Sequence, residues 1–162
     1  DILINNAAIR PNGDFLNMGD EAWNRVIDVN LNSAVWLCRA CLPGMIEGGY
    51  GRIVNFTGMH AQQGYGGKPH VSVSKHALWG LTKALAKEYG TAGITTNIVS
   101  PGTIVGENAG HSAEIMASML ATNPVGRLGT PDDIASMVDL LVSEGGGFIN
   151  GQLLQVNGGV IT

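Results

Sequence analysis

Charge is scarce in this chain. Asp, Glu, Lys and Arg together make up 14% of its 162 residues, against 44% hydrophobic residues. A disordered segment or a long solvated helix needs more charge than that, so a packed domain is expected. A chain of this length buries roughly 70% of its unfolded surface on folding, enough for a real core. No basic cluster stands out and the formal net charge is −4, which argues against nucleic acid and anionic membrane surfaces as partners. No apolar run approaches the roughly 20 residues that a membrane-spanning helix requires.

Cysteine is also scarce. Cys38 and Cys41 are the two present, spaced C-x-x-C. A redox pair of that spacing belongs at a helix N-terminus, where the dipole lowers the thiol pKa. These two lie deep inside an apolar helical stretch, and no second Cys or His pair completes a zinc shell. They are expected to be free thiols of a cytoplasmic protein, and no metal site is expected.

Apolar runs of strand length alternate with longer stretches of helical period. The patterns predict strands at Ile2–Ile4, Arg52–Phe56, Thr95–Val99 and Leu153–Val156. Their near-continuous apolar character fits strands covered on both faces, as in a parallel sheet. Asp20 is placed to cap a helical region ending near Ile46, weakened at Pro43-Gly44. A second helix is expected from Val71 to Tyr89, with Ala77, Leu78, Leu81, Ala84 and Leu85 as its apolar face and Gly90 and Gly93 ending it. A short third covers Glu114–Leu120. A fourth starts at Thr130-Pro131-Asp132-Asp133, where Thr130 caps and the acids face the positive dipole end. The alternation predicts an α/β fold in one domain, with right-handed crossovers and helices on both faces of a parallel sheet. Because Asp1 runs at once into a strand pattern, the chain is expected to be a piece of a longer one.

The string Gly51-Arg52-Ile53-Val54-Asn55-Phe56-Thr57-Gly58, a loop, then Val71-Ser72-Val73-Ser74-Lys75 resembles the active-site stretch of the short-chain dehydrogenases/reductases. Several further strings match in register. Asp1-Ile2-Leu3-Ile4-Asn5-Asn6-Ala7-Ala8 is similar to the Asn-Asn-Ala-Gly stretch after that family's fourth strand. Asn30 in Val29-Asn30-Leu31-Asn32 matches its helix-interrupting asparagine. Pro101-Gly102 matches its Pro-Gly turn. Asn123 to Ala135, Gly151-Gln152 and Val156-Asn157-Gly158-Gly159 match its closing segments. The resemblance is to the classical branch, near the 3-oxoacyl-carrier-protein reductases and glucose dehydrogenases.

The resemblance implies a partial Rossmann-like, doubly wound sheet, with residues 1–162 corresponding to the C-terminal two-thirds of the family fold. It implies NAD or NADP as cofactor, with Asn6, Ala7, Lys75, Pro101, Gly102 and Ile104 along it. The threonine that usually follows the Pro-Gly turn falls at Gly106, with Thr103 nearby. The Gly-rich turn that grips the pyrophosphate belongs to a first half these residues do not contain. Gly64-Tyr65-Gly66-Gly67 lies far beyond its strand and reads as a flexible loop.

Two departures bear on the chemistry. The family's catalytic tyrosine position is Val71, and its serine position, 13 residues earlier, is Gly58. Of the implied proton-handling set, Lys75 and Asn30 remain. Lysine there bonds the nicotinamide ribose and lowers the tyrosine pKa, and the asparagine holds a water in the proton relay. Candidate substitutes for the phenol are His70, Tyr65, His60 and His76, since imidazole titrates near neutrality. Thr57 replaces the serine only if the strand end shifts by one residue.

Three functions remain open. One is an NAD(P)-dependent oxidoreductase on a carbonyl/alcohol pair, with a substitute acid. The second is a catalytically inactive subunit or binding protein. The third is a hydrolase in the same pocket, which no G-x-S-x-G motif supports. A homo-oligomer through the Val71–Tyr89 helix is also expected, because Ala77, Gly80 and Ala84 allow close packing. The only other partner expected is a small-molecule substrate.

Overall fold

The structure is a computed structural model that describes residues 1–59, 63–105 and 112–162. Its centre is a four-stranded sheet, β1 (Ile2–Asn5), β2 (Gly51–Phe56), β3 (Ile94–Pro101) and β4 (Leu153–Val156), in the order β1-β2-β3-β4. All neighbours are parallel, with Ile4 beside Val54, Val54 beside Asn97 and Val99 beside Leu154. The two central strands are buried nearly end to end, as their unbroken apolar and β-branched runs require. β1 is an edge strand, and Ile2 and Ile4 are exposed on it.

Helices α1 (Asp20–Ile27), α2 (Ser33–Gly48) and α3 (Pro69–Tyr89) fill the first two connections. α4 (Ala113–Ala121) and α5 (Pro131–Val142) lie in the third. α2 and α3 pack on one face, where Cys38, Leu42 and Met45 meet Ile53, Leu85 and Ile94, and Ala34 and Leu78 meet Ile98. α5 packs on the other face, where Leu141 meets Val54 and Val99. Side chains alternate faces along a strand, so Ile53 and Val54 serve opposite cores.

That arrangement corrects the expectation of uniformly right-handed crossovers. The chain moves across the sheet in one direction throughout, yet the β3-to-β4 connection crosses on the face opposite to the two before it. Its hand is therefore the reverse of theirs. The steric rule acts on short strand–helix–strand units. This connection interposes α4 and can reach the far face.

Other local expectations are also corrected. Gly19, not Asp20, is the N-cap of α1, and Asp20 is its first residue without a side-chain capping bond. Pro43 lies inside α2, which runs on to Gly48, a little past the expected end near Ile46. Proline has no N–H to give the carbonyl four residues back, that of Arg39, and both residues are on the exposed side of the helix. On α3, Ala84 is exposed and Thr82 and Ala86 are buried instead. The cap at Thr130 is as expected: its hydroxyl accepts from Asp133 N–H and the Asp133 carboxylate accepts from Thr130 N–H. Gly93, at φ 78°, ends the α3 region beside Gly49, whose carbonyl oxygen a Cβ at Gly93 would overlap. Only glycine fits there.

A buried polar chain ties three elements together. Asn5 Nδ2 donates to Asn55 Oδ1 (2.8 Å), and Asn55 Nδ2 donates to Thr82 Oγ1 (2.9 Å). Asn55 is wholly buried, so its loss leaves the amide of Asn5 and the hydroxyl of Thr82 without these partners. Asn55→Ala is expected to destabilise the fold by about 2 kcal/mol in urea denaturation; a change below half of that contradicts this role for the chain.

Candidate functional site

The sequence-predicted residues gather at the C-terminal ends of the strands, where parallel α/β sheets hold ligands. Asn6 and Ala7 follow β1 and are exposed. Thr57 and Gly58 follow β2, and Pro101 closes β3.

Lys75 is the anchor of this end. Its Nζ donates to the Phe56 carbonyl at the tip of β2 (2.7 Å), and the residue is only 5% exposed. Burial, helped by the charge of Arg10, pushes the Lys75 amine down to about 8. Val71 lies one turn earlier on the same face of α3 and is buried, with no titratable atom. Gly58 has open space beside it: a Cβ there would meet nothing within 4 Å. The strand register runs unshifted through Phe56 beside Val99, and Thr57 N–H bonds Val99 O (2.9 Å).

Asn30 sits in a widened helical turn, Asp28–Asn32, between α1 and α2. Its Oδ1 accepts from Ile9 N–H (2.8 Å), and its Nδ2 donates to Ile9 O (3.0 Å) and Ser74 Oγ (3.2 Å). Ser74 Oγ in turn donates to Val71 O (2.8 Å). The side chain thus clamps the loop after β1 onto α3.

Of the proposed substitutes for the phenol, His70, Tyr65 and His76 are among the described residues. His70 is buried and stacks on Trp23 of α1, with centroids 6.4 Å apart. It faces α1, unlike Val71 and Lys75, and its Nδ1 has no partner among the described residues. Burial pushes its pKa below 6.5. Tyr65 is exposed in the loop before α3, with Lys68 Nζ 4.8 Å from its ring centroid. His76 is exposed, its Nδ1 3.0 Å from Ser72 O. His60 and Gly106 lie outside the described residues.

Pro101, Gly102 and Ile104 turn toward the end of β4. Gly102 N–H bonds Val156 O (2.9 Å), and a Cβ on Gly102 would come within 2.6 Å of the Asn157 Cα. Close backbone approach explains this glycine. Ile104 bridges to Gly129. Both Ile104 and Asn157 line a cleft of about 260 Å³ that also includes Arg127 and Asp133 but not Lys75 or Val71. Arg127 and Asp133 are paired at 2.7 Å, and that pair with the Thr130 bonds holds the Asp133 carboxyl well below the usual range. Cys38 is buried, its thiol pushed up to about 11 mainly by burial, which makes it inert. Among the described residues no cluster of His, Cys, Asp and Glu could hold a metal, and no helix is long and apolar enough to cross a membrane.

Sequence reasoning missed the Phe56 carbonyl, Ser74, Arg10 and Trp23. The first is a backbone group and leaves no trace in residue identity. Ser74 sits beside Lys75 in Ser-x-Ser-Lys, a signal available but unread. Arg10 and Trp23 reach the site only through tertiary packing.

Residues 1–161 match the family described as enoyl-(acyl carrier protein) reductase. The chain is 40% identical over 161 residues to an acetoacetyl-CoA reductase of Cupriavidus necator, covering 99% of this chain and 65% of that protein. It is 38% identical over 161 residues to a 3-oxoacyl-acyl-carrier-protein reductase of Escherichia coli, covering 99% and 66%. It therefore spans just under two thirds of the length of each of these relatives. Among solved structures, a protein of Beutenbergia cavernae proposed to be an NAD(P)-dependent gluconate 5-dehydrogenase, with NADP bound at low occupancy, superposes with TM-score 0.91. Identity is 35%, over 99% of this chain and 66% of that one. A 4-hydroxyisoleucine dehydrogenase complexed with NADH gives TM-score 0.88 at 34% identity, over 99% and 68%.

Burial of neutral His70 carries a pH signature. The unfolded chain binds a proton near 6.5 and the folded one only below that, so stability is full above pH 6.5 and falls as pH drops through that window. Thermal melts from pH 7.5 to 5 are expected to show this fall, and His70→Phe to flatten it. An equal pH slope in both proteins contradicts the assignment.

Proposed function

The chain belongs to the short-chain dehydrogenase/reductase family, and we propose from this that its activity is the NAD(P)-dependent interconversion of a carbonyl and an alcohol. The observation that carries this reading is the anchored Lys75. Its ammonium has one hydrogen-bond partner among the described residues, the Phe56 carbonyl, beside the open position at Gly58. An ammonium carries three donors. One of the other two fits a ribose hydroxyl of a nicotinamide cofactor at this end of the sheet, which leaves one donor free, while Asn6, Ala7 and the Pro101–Ile104 turn lie along the same edge.

When bound, such a cofactor supplies the hydride. This chain's residues then have three tasks. Lys75 would hold the cofactor ribose through a hydrogen bond from Nζ. Asn30 and Ser74 fix α3 so that Lys75 stays against β2. Val71, buried one turn before Lys75, keeps that part of the helix face apolar. Relatives named for acetoacetyl-CoA and for 3-oxoacyl carriers point to a 3-oxo thioester as the substrate class to try first.

A second reading, an inactive subunit or binding protein, is favoured by one observation: the positions of the phenol and hydroxyl are Val71 and Gly58. General acid–base catalysis contributes about 10²–10⁴ to rate, so a protein without it binds cofactor but turns over slowly. We also propose a cytoplasmic homo-oligomer through the outer faces of α2 and α3, where Trp36 is 58% exposed and Val73 48%. Large exposed apolar residues on neighbouring helices mark an interaction surface.

Calorimetric titration of the natural protein with NADPH and NADH, followed by absorbance assays with acetoacetyl-CoA, tests the activity. Saturable binding with turnover above that of the free cofactor is expected. Binding without turnover, with turnover appearing in Gly58→Ser/Val71→Tyr, supports the second reading instead. For the assembly, light scattering is expected to give a multiple of the chain mass, reduced to a single mass by Trp36→Glu/Val73→Glu; a monomeric wild type refutes it.

A further inference from the structure

A proton must still reach the substrate oxygen where no phenol exists. Among the described residues, the titratable group tied to the tip of β2 is Lys75. Val71 lies four residues before Lys75 on the same face of α3 and ends at its Cγ atoms, so it brings no hydroxyl of its own toward the ammonium. Gly58, two residues past Phe56, is open as well, since a Cβ there would touch nothing within 4 Å. The bond to Phe56 O fixes the ammonium in place and uses only one of its donors.

We infer that Lys75 itself delivers the proton to the substrate oxygen, acting as the general acid in place of the missing phenol. This rests on the oxidoreductase reading above. In the reductive direction the carbonyl carbon accepts a hydride from the reduced cofactor. The C=O π pair takes a proton from Lys75 Nζ, and the products are an alcohol, the oxidised cofactor and a neutral amine. Solvent then reprotonates the amine. Oxidation of the alcohol runs the same steps in reverse, with neutral Lys75 as base.

The electrostatics suit the task. Burial and the positive charge of Arg10, from the segment after β1, hold the amine near 8. No carboxylate is among the groups that shift it, and His70 on the same helix faces Trp23 on α1. An acid with a pKa near the working pH is protonated yet able to give its proton up. An ordinary surface lysine, near 10.4, is a poorer donor.

The test uses the natural protein labelled with ¹⁵N at lysine Nζ, with Lys75→Met to assign the signal. The amine of Lys75 is expected to titrate near 8. Reduction of acetoacetyl-CoA by NADPH is expected to lose kcat/KM above that same pH, and oxidation of 3-hydroxybutyryl-CoA by NADP to gain it. Lys75→Met is expected to lower kcat by about 10²–10³, while Lys75→Arg, which keeps the charge, removes the alkaline limb. A lysine titration above about 10 overturns the inference whatever the kinetics. So does full kcat in Lys75→Met with only NADPH affinity reduced, an outcome that leaves the oxidoreductase reading standing. Cofactor binding with no wild-type turnover, cured by Gly58→Ser/Val71→Tyr, overturns that reading and this inference with it.

Discussion

Asn30 is the point on which the functional end of the molecule depends. Its amide both accepts from and donates to the backbone of Ile9, and it donates to Ser74 as well. The loop after β1 is therefore fixed to α3 through one side chain. Ser74 passes the constraint to the Val71 carbonyl, and its neighbour Lys75 carries it to Phe56 at the tip of β2. A buried polar group is costly when unpaired and rigid when paired, so such a network holds only one arrangement. The widened turn at Asp28–Asn32 is what turns Asn30 inward, and α1 and α2 run on either side of it without a break.

This clamp is independent of the chemistry that has changed. Val71 and Gly58 stand where the family carries a hydroxyl, but neither belongs to the Ile9–Asn30–Ser74 chain through its side chain. The bonds that position the lysine are in place, while Val71 and Gly58 bring no titratable group to this end of the sheet. The consequence is physical. An amine that shares its site with a phenol tunes the phenol, whereas an amine left alone in a buried site, pushed down to about 8, is an acid in its own right. The other buried titratable groups do not compete. His70 packs into the α1 contact, and the raised pKa of Cys38 keeps it a thiol.

Much of this was legible in the sequence, for reasons that differ by element. The strands were readable because each is a short β-branched or aliphatic run bounded by turn residues, and the pattern of Leu153–Val156 gives its observed limits. Thr130 was readable because a capping box is a local code. Gly19 was not, because Asp20 has the better capping chemistry by type and only the backbone decides between adjacent positions. The end of α2 was readable only approximately, Gly48 against an expected Ile46, because helix ends depend on the backbone of the turn that follows. The reversed hand of the last crossover depends on which core Leu141 joins, a long-range fact with no local signal. At the site, Lys75 and Asn30 could be read as residue types, but their partners are the backbone of Phe56 and Ile9, which no side-chain code reports.

The most direct test is a crystal structure of the natural protein with NADPH, read for the surroundings of Lys75 Nζ. The account predicts that the bond to Phe56 O persists and that Nζ lies within about 3 Å of a cofactor ribose hydroxyl. It also predicts that the space beside Val71 is filled by solvent or substrate, next to the ammonium. A Lys75 swung away from β2, or the hydroxyl of Tyr65 or the ring of His60 seated beside Val71, would contradict it.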